Sequence, residues 1–248
     1  SYLVDVLMIK GNTELRKYTT IYPKSVYTIN SWDDYFAYGS KLLKQSNNKK
    51  LGKVLSRGAF KGKPLYSLSL VERLMGCPKG CHHWDSCYGN NMPFAHRFKT
   101  DNDLVFCNIL IDEIFNLLIK HKQGIHIRLH VLGDFFSRYY INWWKALLVC
   151  HDKISVYGYT AHTPNSQLGL EIKNVIDKIG FDRFAIRFSN STVKMSANSL
   201  EYKPRLVASK NVSLKSIPCP EQENKVLNCV SCALCWNKNF DRVLFYTH

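Results

Sequence analysis

Ile125-His126-Ile127-Arg128-Leu129-His130-Val131-Leu132-Gly133-Asp134 is the stretch on which the fold turns. Its first eight residues read as a strand, and the glycine that follows marks a loop. Two more strand-like runs follow at 154–159 and 184–188. Helical spacing fills the gaps, over 139–149 and 166–179, and Gly180 closes the second helix. Strands alternating with helices point to βαβ units, a parallel sheet and right-handed crossovers. Upstream, 65–71 reads as another strand and 102–122 as a helix, with apolar positions Leu104, Ile109, Ile111, Ile114, Phe115, Leu118 and Ile119, ended by Gly124. Ser31 is a candidate cap for a helix over 32–45, because Asp33 and Asp34 suit its first turn. Weaker strand signals lie at 206–208 and 212–217, and 1–30 reads as mixed β and loop. Five to six strands predict an α/β fold, a partial or complete parallel (β/α) barrel. The expected division is a basic extension over 1–64, a barrel-like core over 65–215 and a cysteine-rich segment over 216–248.

In such sheets the site lies at the carboxyl ends of the strands. Four loops should therefore face one another: those carrying Cys77, Gly133 with Asp134, residues 160–162, and Ser189 to Ser191.

The chain has 248 residues, of which 46% are hydrophobic and 21% charged, so it can build a core and is not disordered by composition. No apolar run reaches the ~18–20 residues of a membrane span, so no membrane partner is expected. Residues 1–8 lack a basic stretch followed by an apolar one, so no secretory leader is expected. The net charge is +15 and it is uneven. Between 35 and 71 stand Lys41, Lys44, Lys49, Lys50, Lys53, Arg57, Lys61 and Lys63, with no acidic residue among them. That strip suits a polyanion, and nucleic acid is the expected partner; the plainer reading is a solvated face.

Nine cysteines, an odd number, argue against a disulfide framework. Seven fall into two groups. The first is Cys77, Cys81 and Cys87, spaced Cys-x3-Cys-x5-Cys, with Gly76, Pro78 and Gly80 allowing the loop to curl. Three thiolates leave a fourth position open. On an iron–sulfur cluster that position takes a substrate or cofactor; on zinc, His82, His83 or His96 would fill it. The second group is Cys219, Cys229, Cys232 and Cys235, a closed four-thiolate set for a second cluster or for zinc. Cys107 and Cys150 fall in helical patterns and are expected to be buried.

Other residues carry two readings each. Asp134 is either a ligand contact or a helix cap. His126 and His130 alternate on one strand face, and with His162 they are acid–base candidates or satisfied core histidines. Arg128 and Arg187, on strands expected to be adjacent, suit a carboxylate or phosphate. Tyr139, Tyr140, Trp143 and Trp144 read as packing, with base stacking as the alternative. No dinucleotide, Walker, nucleophile-elbow or zinc-protease motif occurs.

Across 65–190, a strand, a three-cysteine loop, a helix and a strand ending in Gly133-Asp134 resemble the opening of radical S-adenosylmethionine enzymes. That resemblance implies a 4Fe–4S cluster on Cys77, Cys81 and Cys87, whose open iron binds S-adenosylmethionine for reductive cleavage and hydrogen abstraction from a substrate. The superfamily spacing is Cys-x3-Cys-x2-Cys with an aromatic before the last cysteine; here the last gap is five and Ser86 precedes Cys87. From about Lys63 onward, the stretch from His130 to Ser137, Tyr157-Gly158-Tyr159-Thr160, Cys87-Tyr88 and the cysteine-rich tail to Trp236 resemble the phage "gene product eighty-eight" family. That likeness implies a phage or prophage origin and the cytoplasm of an infected or prophage-carrying host cell.

The resulting expectation is an iron–sulfur enzyme acting on nucleic acid or a nucleotide and served by an electron donor. Gly133, Asp134, Arg187 and Ser189 are its expected cofactor contacts, and Asp134 and His130 its catalytic candidates. The rival expectation is a zinc-stapled nucleic-acid-binding phage protein with no enzymatic activity.

Overall fold

The computed structural model describes residues 20–246 except 46, 74 and 200–214. Strand β1 (Val26–Thr28) and helix α1 (Trp32–Tyr38) come first, then β2 (Leu65–Leu68) and β3 (Arg97–Lys99). Helix α2 (Asp103–Lys120) leads into the alternating run of β4 (Ile125–Leu129), α3 (Arg138–Cys150), β5 (Ile154–Thr160), α4 (Gln167–Ile179) and β6 (Phe184–Ser189). Strand β7 (Ser196–Ser199), β8 (Ser216–Pro218), the short helix α5 (Cys229–Cys232) and β9 (Arg242–Phe245) complete the chain. A small parallel sheet joins β1 to β3. The main sheet has seven strands in the order β2-β4-β5-β6-β7-β9-β8, all parallel. The α/β class is as expected. Among the described residues the sheet is open, with β2 and β8 as its edges.

The helices start where capping side chains allow. Ser31, Asn102, Ser137 and Ser166 accept the main-chain N–H of Asp34, Val105, Tyr140 and Gly169. Helix α1 stops at Tyr38, not near Gln45, because Gly39 takes the left-handed conformation at φ 67° and turns the chain. The expected strand at 206–208 and residues 212–214 of the next one lie outside the described residues, while Ser216 and Ile217 fall in β8.

Side chains alternate across each strand, so the two faces of the sheet differ. Ile125, Ile127, Leu129, Ile154, Val156, Phe184, Ile186 and Phe188 face the helices and join Phe106, Tyr140 and Trp144 in the main core. The opposite face carries Ser67, His126, Arg128, Ser155, Tyr157, Tyr159 and Arg187. Leu51, Leu55, Val230 and Trp236 pack on it around Tyr157. The early segment packs into the main core through Ile29, Leu42 and Leu43, and in the late segment β8 and β9 extend the sheet.

The structure corrects three expectations. Cys107 is buried, but Cys150, at the last position of α3, is exposed. Arg128 and Arg187 are not on adjacent strands, because β5 lies between β4 and β6. His126 and His130 do not share an environment, because the pairing of β4 ends at Leu129. His126 stacks between Phe60 and Tyr157, whereas His130 packs on Phe135 and Tyr140 in the helix-side core.

Candidate metal centres

The first cysteine loop leaves β2 and is braced by two buried arginines. The Arg97 guanidinium is fully buried, pairs with Glu72 at 2.8 Å, and donates to Ser25 Oγ and to the carbonyls of Gly89, Met92 and Ala95. Arg73 donates to the Trp84 carbonyl and to Asn90 Oδ1. The side chains of Glu72 and Arg73 at the start of the loop are thereby linked to its later part, whose carbonyls would otherwise be left unsatisfied. Gly76 lets the loop sit on the turn after β4: a Cβ there would stand 2.4 Å from the Asp134 carbonyl oxygen. Gly133 takes φ +77° with its backbone against Leu70, so packing and conformation account for it.

The three thiols are half-buried and close enough to act on one another electrostatically. Burial raises the pKa of each. The main-chain amides of Arg73, His83 and Gly89 oppose that rise at Cys77, Cys81 and Cys87 in turn. Amides near sulfur favour the thiolate, and such contacts tune iron–sulfur centres. Asp134 adds negative potential at Cys77 and Cys81. A set of three soft donors beside a carboxylate calls for a thiophilic cation. It fits the expected cluster by donor chemistry. Among the described residues, no group of three or more His, Cys, Asp or Glu side chains stands in a metal-holding arrangement.

Asp134 does not cap α3; Ser137 does. Its Oδ1 accepts from the Phe135 N–H and its Oδ2 from the Ala161 N–H, each at 2.7 Å. His162 Nε2 stands 2.8 Å from the Phe135 carbonyl oxygen. The carboxylate thus ties the loop after β4 to the loop after β5, and the first of these packs against Gly76 of the cysteine loop. In the Ser189–Ser191 loop, the Asn190 N–H donates to the Ala197 carbonyl and Asn190 Oδ1 accepts from the Ser199 N–H, both on β7. Of the candidate zinc ligands, His96 Nδ1 is hydrogen-bonded to Tyr38 Oη at 2.7 Å, and His83 Nδ1 lies 3.3 Å from Ser86 Oγ.

The second group runs from the far edge of the sheet, at Cys219, to its polar face, where Cys229 and Cys235 pack near Tyr157. Cys219 follows β8, and its N–H donates to the Leu244 carbonyl on β9. Cys229 and Cys232 bracket α5, whose capping box is Asn228 with Ser231. Cys219 is an electrostatic neighbour of Cys229, Cys232 and Cys235. Burial pushes Cys229 up to about 12 and Cys235 up to about 11. Tyr159, absent from the sequence-based candidates, donates its hydroxyl to Cys235 Sγ at 2.8 Å.

Arg187 is not available to a cofactor. It is fully buried, and its N–H groups meet the carbonyls of Leu234, Cys235, Asn237, Phe240 and Asp241. It anchors the second cysteine segment to β6.

The basic strip divides. Lys41 and Lys44 donate to the hydroxyls of Tyr35 and Tyr38 beside α1. Lys49, Lys50, Lys53, Arg57 and Lys61 are exposed on the segment that pairs with Cys229 and Val230. Lys63 is buried, donates to the Lys153 carbonyl, and is removed from any docking surface.

His130 is also removed as a proton carrier. It is 4% exposed, its Nε2 is 2.9 Å from Tyr140 Oη, and burial lowers its pKa to about 3. Burial does the same to His126, also to about 3. The unfolded chain takes up these protons near pH ~6.5, whereas the folded protein refuses them until near 3. Stability is therefore complete above about pH 6.5 and falls as the pH drops below it. Each histidine is expected to cost about 2 kcal/mol at about pH 5, read from urea unfolding at about pH 7.5 and 5. His130→Phe should remove about half of that difference, and an unchanged difference contradicts the assignment.

No family model, curated protein or solved structure matches the chain. The chemistry of the site therefore rests on its residues alone. No helix of the described residues is long and apolar enough to cross a membrane.

Proposed function

We propose that the protein is an iron–sulfur enzyme of the radical S-adenosylmethionine type, acting on a nucleotide or nucleic acid. The observation that carries this reading is the loop of Cys77, Cys81 and Cys87 that follows β2 in a parallel sheet, with its Gly76 packed on the turn of Gly133 and Asp134. Those three cysteines would hold a 4Fe–4S cluster, and Cys219, Cys229, Cys232 and Cys235 a second centre. The first cluster, when bound, supplies one-electron reduction of S-adenosylmethionine at its open iron. The three thiols stand outside a closed ligand geometry, so binding a cluster would require the loop to draw them together and would release their protons.

The chain's own groups do the rest. Arg73 and Arg97 hold the loop in place, and Asp134 ties the turn after β4 to the turn after β5. Tyr159 hydrogen-bonds the Cys235 sulfur, the kind of contact that shifts a centre's potential. The sheet's polar face supplies the floor between the two cysteine segments: Tyr157 lies within electrostatic reach of Tyr88, next to Cys87, and of Cys229 and Cys235.

Calorimetry on anaerobically purified protein tests the cofactor. A saturable heat with S-adenosylmethionine is expected; no heat at millimolar ligand sinks the radical reading and leaves a cluster protein with another ligand.

The exposed lysines provide the nucleic-acid dock in this reading. Each lysine that no longer neutralises a phosphate should flatten the slope of log affinity against log salt by about 0.9 on duplex DNA. Replacing Lys49, Lys53 and Lys61 by Gln together should change that slope by about 2.7. Binding indifferent to salt, or an unaltered slope, removes this strip as the dock.

A further inference from the structure

Three residues side by side on the polar face of the sheet hold unanswered polar atoms. Ser67 on β2, Arg128 on β4 and Tyr157 on β5 are direct register partners. Partners in a parallel ladder project to the same face. Ser67 Oγ, Arg128 Nε and Tyr157 Oη are all buried and none has a hydrogen-bond partner. Tyr157 is 2% exposed and Ser67 9%. Three orphaned polar atoms in one row are unusual, because buried polar groups are nearly always paired.

The contrast with Arg187 is informative. Arg187 lies on the same face of the sheet and meets five carbonyls. Arg128 is half-buried and its charge is permanent. The groups that act on it electrostatically are Tyr157, Tyr88, Tyr159 and Cys229, and none of these is a carboxylate. A guanidinium held so, without a counter-charge, lacks an anion. Its neighbours come from both cysteine segments, since Tyr88 adjoins Cys87 and Cys229 belongs to the second set.

We infer that Ser67, Arg128 and Tyr157 form an oxyanion-binding subsite, which takes a phosphate or carboxylate of the substrate between the two cysteine segments. The guanidinium offers a planar fork that matches either group. The two hydroxyls donate alongside it. This rests on the function proposed above and deepens it by naming the group that the substrate presents to the protein.

Equilibrium titration of anaerobically purified protein with inorganic phosphate, and separately with acetate, tests the subsite. At least one probe should bind saturably, and which one binds separates the phosphate from the carboxylate source. Arg128→Met should weaken that binding about tenfold or more, as loss of a charge-assisted hydrogen bond does. Its thermal midpoint without ligand should hold or rise, because an unpaired charge has been removed. Tyr157→Phe and Ser67→Ala, milder changes, should each weaken binding severalfold and keep the test decisive if Arg128→Met fails to fold. No binding of either probe to the unaltered protein at about 10 mM, or the same affinity in all three variants, overturns the subsite. Iron content measured on the same samples keeps the two readings apart: anion binding without iron sinks the cluster and leaves the subsite, whereas iron without anion binding does the reverse.

Discussion

Cys81→Ala is expected to empty the first centre and leave the second intact, cutting the iron of anaerobically purified protein by about half if both centres are 4Fe–4S. The first loop offers only three thiols, so two remain, and two cannot hold a cubane with one open iron. The loop's shape does not depend on the sulfur. Arg73 and Arg97 grip its carbonyls, and the Cys81 N–H forms a turn with the Pro78 carbonyl that alanine keeps. The variant should therefore fold, with a far-ultraviolet spectrum like that of the unaltered protein. Cys229→Ala should give the converse, emptying the second centre alone. Full iron retained in Cys81→Ala contradicts the assignment of the first loop.

Arg97→Leu carries the second large effect. The substitution strands Glu72, which is 1% exposed, without its cation, and releases the carbonyls of Gly89, Met92 and Ala95. Glu72 would still accept from the Thr20 hydroxyl at 2.6 Å, a neutral donor that does not replace the charge. Removing one partner of a buried pair costs about 3–5 kcal/mol. The exposed pair of Arg138 with Glu171 is a control, because its loss should cost under about 1 kcal/mol. Urea unfolding of both variants reads the difference, and iron content reports whether the unbraced loop still closes on metal. A loss in Arg97→Leu no larger than in Arg138→Ala would show that the pair does not hold the loop.

The alternating core was legible because periodicity and caps agree there. Helices α3 and α4 and strands β4 to β6 fall within a few residues of the expected bounds, with Ser166 and Gly180 marking the ends of α4. Strand β7 was not legible. Its sequence, Ser196-Ala197-Asn198-Ser199, has no strand propensity, and its place between β6 and β9 comes from tertiary pairing. Strand β9 is short and follows a loop-rich tail, which hides its period.

The grouping of the cysteines is plain in the sequence, whereas the roles of the arginines are not. Arg128 and Arg187 sit in nearly identical surroundings in sequence, Ile-Arg-Leu and Ile-Arg-Phe. Only the folded sheet shows that Arg187 meets a ring of carbonyls while Arg128 Nε is left without a partner. Lys63 likewise ends a run of exposed cations, yet the edge of the sheet draws its ammonium onto the Lys153 carbonyl. Asp134 was legible as a polar group at a strand end, while one of its two N–H partners lies 27 residues away in sequence.

The central claim is that Cys77, Cys81 and Cys87 hold an iron–sulfur cluster. Quantifying iron, zinc and acid-labile sulfide in anaerobically purified protein, together with its visible absorbance, tests it most directly. Iron and sulfide are expected in equal amounts, about four of each per occupied cluster, with a broad band near ~400 nm that bleaches on reduction. Colourless protein carrying zinc, or neither metal, contradicts the claim.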